Sequence, residues 1–166
     1  MQKTNVIIAL VLACAVLGMT WKTDRVISVE GAWRVVEVQT FRPNGQVTSI
    51  VPSESVVLFA SGHYSFCWTS HQSLSQGWQI SDTERVVRFN STLINAGTYE
   101  FADSHLVTHA QFALQPKFVG GSATFRVIMS GDTLVLSGTN VLAADNTQHP
   151  TYAAGAHIVS KLVPAR

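Results

Sequence analysis

Two different hydrophobic patterns divide this chain. Residues 6–19 (VIIALVLACAVLGM) are a continuous uncharged apolar run, preceded by the single cation Lys3. Its length is that of a signal h-region and falls short of the roughly 18 to 20 residues that span a bilayer. Residues 1–20 are therefore read as a signal peptide or an N-terminal anchor. Ala13-Cys14-Ala15 offers a small-x-small cleavage site, and lipid attachment at Cys14 stays open. Export predicts a secreted or periplasmic protein.

Beyond Trp21 the apolar positions alternate, which is the period of a half-buried strand. Residues 33–41 form a β-branched run that Pro43-Asn44-Gly45 turns back into residues 46–50. Residues 55–60 (SVVLFA) and 63–69 (HYSFCWT) flank the tight turn Ser61-Gly62, and Tyr64, Phe66 and Trp68 fall on one face. Near residue 81 the period turns helical. Ser81 and Glu84 make a capping box, Val86, Phe89 and Leu93 follow at helical spacing, and Asn95-Ala96-Gly97 supplies a stop. Further strands are predicted over residues 98–102, 105–114, 122–129, 132–138 and 156–163. About nine short strands, joined mainly by hairpin turns, with one short helix favour a mainly β antiparallel meander closed into a barrel of eight to ten strands. Closure removes the sheet edges that a meander would expose. One domain over residues 26–166 is expected.

Composition narrows the function. Hydrophobic residues make up 46% and charged residues 13%, about half the usual charged share, so the chain folds around apolar surface. With 11 Lys and Arg against 10 Asp and Glu the net charge is +1, which excludes the basic field of a nucleic-acid binder. Cys14 and Cys67 fit neither a disulfide framework nor a zinc pattern, and Cys67 reads as a small buried hydrophobe. Nothing in the spacing calls for a metal or a cofactor, and no membrane span is expected beyond residue 20.

The order of several short motifs resembles the lipocalin-like domain family. These are Gly31-Ala32-Trp33 opening the first strand, Leu58-Phe59-Ala60-Ser61-Gly62-His63-Tyr64, Asn95-Ala96-Gly97-Thr98-Tyr99-Glu100, and Gly131-Asp132-Thr133-Leu134. The resemblance covers residues 30–163. It implies a calycin-type β-barrel and pairs the signature Trp33 with a basic residue of the last strand, Lys161, as a cation over an aromatic face.

A barrel mouth is a common place for a small-molecule site. If Trp33 points inward, strict alternation carries Val35, Glu37, Gln39 and Phe41 inward with it. A carboxylate there must be paired, hydrated or protonated, which makes Glu37 a candidate functional group. His105 and His109 share a strand face, about 13 Å apart, too far to hold one metal. His109 opposite Glu37 or Glu100 would make an acid–base couple. His63, His71, His149 and His157 find no partner in the pattern, and no catalytic motif is present. Three readings stay open. The first is a secreted binder of a small hydrophobic ligand, held by Trp33, Val35, Glu37, Tyr64, Phe66, Trp68, His109, Phe125, Val127 and Leu134. The second is a barrel isomerase or cyclase in which Glu37 or His109 moves a proton. The third is a filled barrel with a structural or partner-binding role.

Overall fold

In a computed structural model the described residues are 27–72 and 77–165, so the expected signal or anchor lies outside them. The chain forms β1 (Gly31–Phe41), β2 (Val47–Ile50), β3 (Glu54–Ala60), β4 (His63–Thr69), α1 (Asp82–Ser91), β5 (Thr92–Ala102), β6 (His105–Ala113), β7 (Ser122–Ser130), β8 (Thr133–Leu142), α2 (Pro150–Ala153) and β9 (His157–Pro164). Every strand pairing is antiparallel, in the order β2-β1-β3-β4-β5-β6-β7-β8-β9, and β1 also pairs with β9. Eight strands thus close a barrel, and β2 is an extra strand on the far half of β1. The expected meander and closure hold.

The two ends of the barrel differ because their connections differ. At one end β3–β4, β5–β6 and β7–β8 are joined by two-residue turns. Ser61 and Gly62 sit at φ 49° and 78°, and Asp103 and Ser104 at 49° and 63°, the paired positive φ that matches the twist of a tight hairpin. The opposite end carries the longer connections with α1, α2 and a 3₁₀ turn at Pro116–Phe118. The short-turn end is sealed by side chains. Val35, Val57, Phe59, Leu106, Val127, Leu134, Leu136 and Leu162 are 0–1% exposed, and the Trp33 indole donates to the Val29 carbonyl at 2.8 Å. The Tyr99 hydroxyl donates to Glu30. Desolvation and that carboxylate push its phenol up to about 12.

Strict alternation fails in β1. A bulge lies between Val35 and Glu37 against β9, and an extra residue there reverses the faces that follow it. Val38 takes the next inward position at 6% exposure, whereas Glu37 and Gln39 turn outward and Phe41 stacks on His157 at 5.0 Å. The bulge coincides with a change of partner, since β1 pairs with β3 over Gly31–Trp33 and with β2 over Val38–Phe41. Ser55 bridges the gap, its hydroxyl accepting from the Val35 N–H at 2.9 Å and donating to the Val35 carbonyl at 3.1 Å.

The helix ends earlier than its period predicts. Ser81 caps it by accepting from the Glu84 N–H, and Asp82 pairs with Arg85 at 2.9 Å, but no residue of α1 is buried. With little packing to extend it, the chain enters β5 at Thr92. Asn95-Ala96-Gly97 is therefore mid-strand and not a C-cap. Gly97 lies at a bulge between β5 and β6, where an added Cβ would stand 1.9 Å from the His109 carbonyl oxygen.

Candidate functional site

Above the packed end, the barrel is hollow. A cavity of about 180 Å³ opens toward the long connections. β4 contributes Tyr64, Phe66 and Trp68, adjacent β5 contributes Leu93 and Asn95, and β6 contributes Thr108 and Ala110. Across the lumen stand Ala123 and Phe125 of β7, Val141 of β8, Ile158 and Ser160 of β9, and Val38 just past the bulge. Phe66 and Phe125 lie nearly parallel, with centroids 6.5 Å apart. The connections roof the cavity with Phe118, His149 and Tyr152.

His149 is fixed by the start of α2. Pro150 occupies the first helical position, where its missing N–H leaves nothing unpaired. His149 precedes it as the cap and Nδ1 accepts the Thr151 N–H at 3.3 Å. The ring stacks on Phe118 at 5.7 Å and meets Tyr152 edge-on at 6.1 Å. Burial lowers the tendency of this imidazole to protonate. A neutral ring that accepts at Nδ1 carries its proton on Nε2, and that atom has no protein partner among the described residues. Burial also pushes the Tyr152 and Tyr64 phenols up. Among the described residues, none that lines the cavity carries a formal charge when His149 is neutral.

The residues expected from sequence divide into three groups. Tyr64, Phe66, Trp68 and Phe125 line the cavity together. Trp33, Val35, Val127 and Leu134 are inward but belong to the packed end, away from the cavity wall. Glu37 and His109 are not in the lumen. Glu37 is turned out by the bulge, accepting from Lys161 at 2.7 Å, Ser49 at 2.8 Å and Gln39 at 2.9 Å. These contacts, the Lys161 ammonium foremost, hold its carboxyl below the usual range. His109 is exposed because its neighbours Thr108 and Ala110 take the inward positions around the β5–β6 bulge. The expected Glu37–His109 couple does not form. Lys161 does not cover Trp33: on β9 its neighbour Leu162 points inward, so Lys161 points out and meets Glu37 across the ladder. Cys67 is a free, half-buried thiol 3.4 Å from the Ser65 hydroxyl, less enclosed than a core hydrophobe.

Asn95, His149 and Tyr152 are the polar wall residues that alternation does not reveal. Asn95 falls in a stretch that reads as a helix stop, though it also opens the Asn-Ala-Gly-Thr-Tyr-Glu motif. His149 and Tyr152 lie in a connection with no period, and the only signal there is the His-Pro step that starts a helix.

The closed eight-stranded antiparallel barrel with one hollow end defines a calycin-like class of ligand-binding fold. Within that class the chain belongs to the lipocalin-like domain family, whose model matches residues 30–154. No curated protein matches the chain significantly. Among solved structures, an uncharacterized protein from Bacteroides eggerthii is similar at 14% identity, covering 81% of this chain and 98% of its own, with a TM-score of 0.41. Among the described residues no helix is long and apolar enough to cross a membrane.

Proposed function

We propose that this domain binds a small hydrophobic molecule in the hollow half of its barrel and acts outside the cytoplasm. The observation that carries the binding reading is the cavity itself. It is walled largely by apolar and aromatic side chains above a core of side chains that are 0–1% exposed, the composition expected of a small-molecule pocket. The catalytic alternative loses its proposed proton carriers, because Glu37 and His109 face away from the lumen. Export rests on the apolar run at residues 6–19. Intact-mass spectrometry of protein purified gently from its source tests both parts. A native mass excess on the order of 100 to 200 Da that disappears on denaturation supports a bound ligand. A chain that arrives empty and takes up no small apolar probe overturns that reading. A denatured mass that begins after Ala15, or at a lipid-modified Cys14, supports export, and one that begins at Met1 overturns cleavage.

A partner-binding role has one observation in its favour. Val56 and Leu58 on the outer face of β3 are each 44% exposed, and Val47 and Ile50 of β2 are exposed as well. Sedimentation of the purified protein with and without Leu58→Lys checks it: a complex lost in the variant supports this role, and a monomer in both cases removes it.

A further inference from the structure

Four features of the cavity restrict what it can hold. Its volume of about 180 Å³ is only slightly above that of an apolar cavity known to accept benzene, and the sealed lower core prevents a long chain from extending downward. Its wall is aromatic on several sides, with Tyr64, Phe66, Trp68, Phe125, Phe118 and Tyr152 all contributing. Offset or edge contacts with a flat ring are the favoured use of such faces. Among the described residues its wall has no formal charge to compensate an ion, and an uncompensated charge in such a site is costly. Arg42 lines a separate recess, with Thr151 and Ala154.

The polar groups give the fourth restriction. The Nδ1 of His149 is occupied by the Thr151 amide, so in the neutral ring Nε2–H remains as a donor without a protein partner among the described residues. The Asn95 side-chain amide, also on the wall, likewise has no partner among the described residues. A donor held in one tautomer by a backbone contact discriminates between ligands, because an apolar occupant leaves it desolvated and unpaired.

Resting on the binding function proposed above, we infer that the cavity selects a compact, uncharged aromatic or conjugated ring bearing a hydrogen-bond acceptor, such as a carbonyl oxygen, which takes the His149 Nε2–H. α2 acts as the specificity element. Its first turn orients the imidazole, and Phe118 stacked behind the ring keeps it in place.

Calorimetric titration of the full chain at pH 8 with four probes tests this. The probes are acetophenone (ring and carbonyl), ethylbenzene (ring alone), benzoate (ring and charge) and 2-octanone (carbonyl without ring). Acetophenone is expected to bind about five- to tenfold more tightly than ethylbenzene, the worth of one hydrogen bond, and benzoate and 2-octanone more weakly than acetophenone. His149→Asn keeps a side chain suited to capping α2 but removes the ring donor, so the acetophenone-to-ethylbenzene ratio should fall toward one. Using the ratio cancels any general loss of packing. Thermal melting of the variant shows that it folds, and Asn95→Leu, which leaves the cap untouched, serves as a second probe of the polar wall. Binding of 2-octanone or benzoate tighter than acetophenone, or a ratio unchanged in His149→Asn, overturns the inference and leaves the binding function standing. No binding of any probe removes both.

Discussion

Replacing Ala123 with Leu distinguishes a hollow barrel from a filled one by the sign of its effect. Ala123 sits on β7, between Thr108 on β6 and Val141 on β8, with its side chain on the cavity wall. The substitution adds three carbons. Each buried methylene is worth about 0.8 kcal/mol, so full burial would stabilise the domain by about 2.4 kcal/mol. The cavity opens at one end and the longer side chain loses rotamer freedom, which reduces the expected gain to about 1 to 1.5 kcal/mol. In a domain of this size that raises the melting temperature by a few degrees. Had the interior been packed to core density, the same carbons would force neighbours off their rotamers and cost about 1 to 3 kcal/mol. Urea unfolding followed by Trp fluorescence measures the difference, with Val127→Leu as the control, since Val127 is 1% exposed in the packed half. Stabilisation by Ala123→Leu, destabilisation by Val127→Leu and loss of acetophenone binding in the former are expected together. A lower urea midpoint for Ala123→Leu at unchanged slope would refute the hollow barrel.

Other substitutions probe the parts separately. Leu136→Ala, in the sealed end at 1% exposure, should cost about 2 to 5 kcal/mol in urea unfolding, while Leu93→Ala on the cavity wall should cost less because its side chain already borders empty space. Gly97→Ala places a Cβ against the His109 carbonyl with no flexible side chain to yield, so a loss of about 3 kcal/mol or more is expected from chemical denaturation. Burial holds the His149 imidazole below its ordinary value of 6.5, so the unfolded chain binds the extra proton first. Stability from this group is fully present above about pH 6.5, declines as the pH falls toward the lowered folded value, and the slope should flatten in His149→Asn when melting is followed from pH 8 to 5. Lys161→Ala should weaken the bulge contact in a salt-dependent way without changing probe affinity, as measured by titration at two ionic strengths, because the Glu37–Lys161 pair lies on the outer face.

Much of the barrel is written locally. The tight turns at Ser61-Gly62 and Asp103-Ser104, the alternating Tyr64, Phe66 and Trp68, and the capping serine at Ser81 each act over a few residues, and each is found where its pattern places it. The helix extent was not legible, because Leu93 fits a helical period and a strand equally well, and pairing with Trp68 across the ladder decides between them. The division of the lumen into a packed and a hollow half was not legible either. Trp33, Val35, Val127 and Leu134 are inward as alternation requires, but their depth along the barrel depends on strand tilt and stagger, which no single strand encodes.

The outward turn of Glu37 and the position of the cavity follow from the same local event. On the edge away from β9, β1 changes partner: it leaves β3 after Trp33 and takes up β2 from Val38. The bulge between them exchanges a carboxylate for Val38 on the lumen side, and Ser49 of β2 and Lys161 of β9 complete the carboxylate's contacts outside. Two strands considered together contain the clue that one strand lacks. With Leu162 inward and adjacent Lys161 outward, a Glu37 that faces Lys161 cannot share the lumen with Trp33, so the inward parity of β1 must break between residues 33 and 37. An ion pair across neighbouring strands is thus a better guide to a bulge than the hydrophobic period it interrupts. In this barrel the break leaves the described lumen wall without a formal charge, as the neutral ligand proposed for it requires.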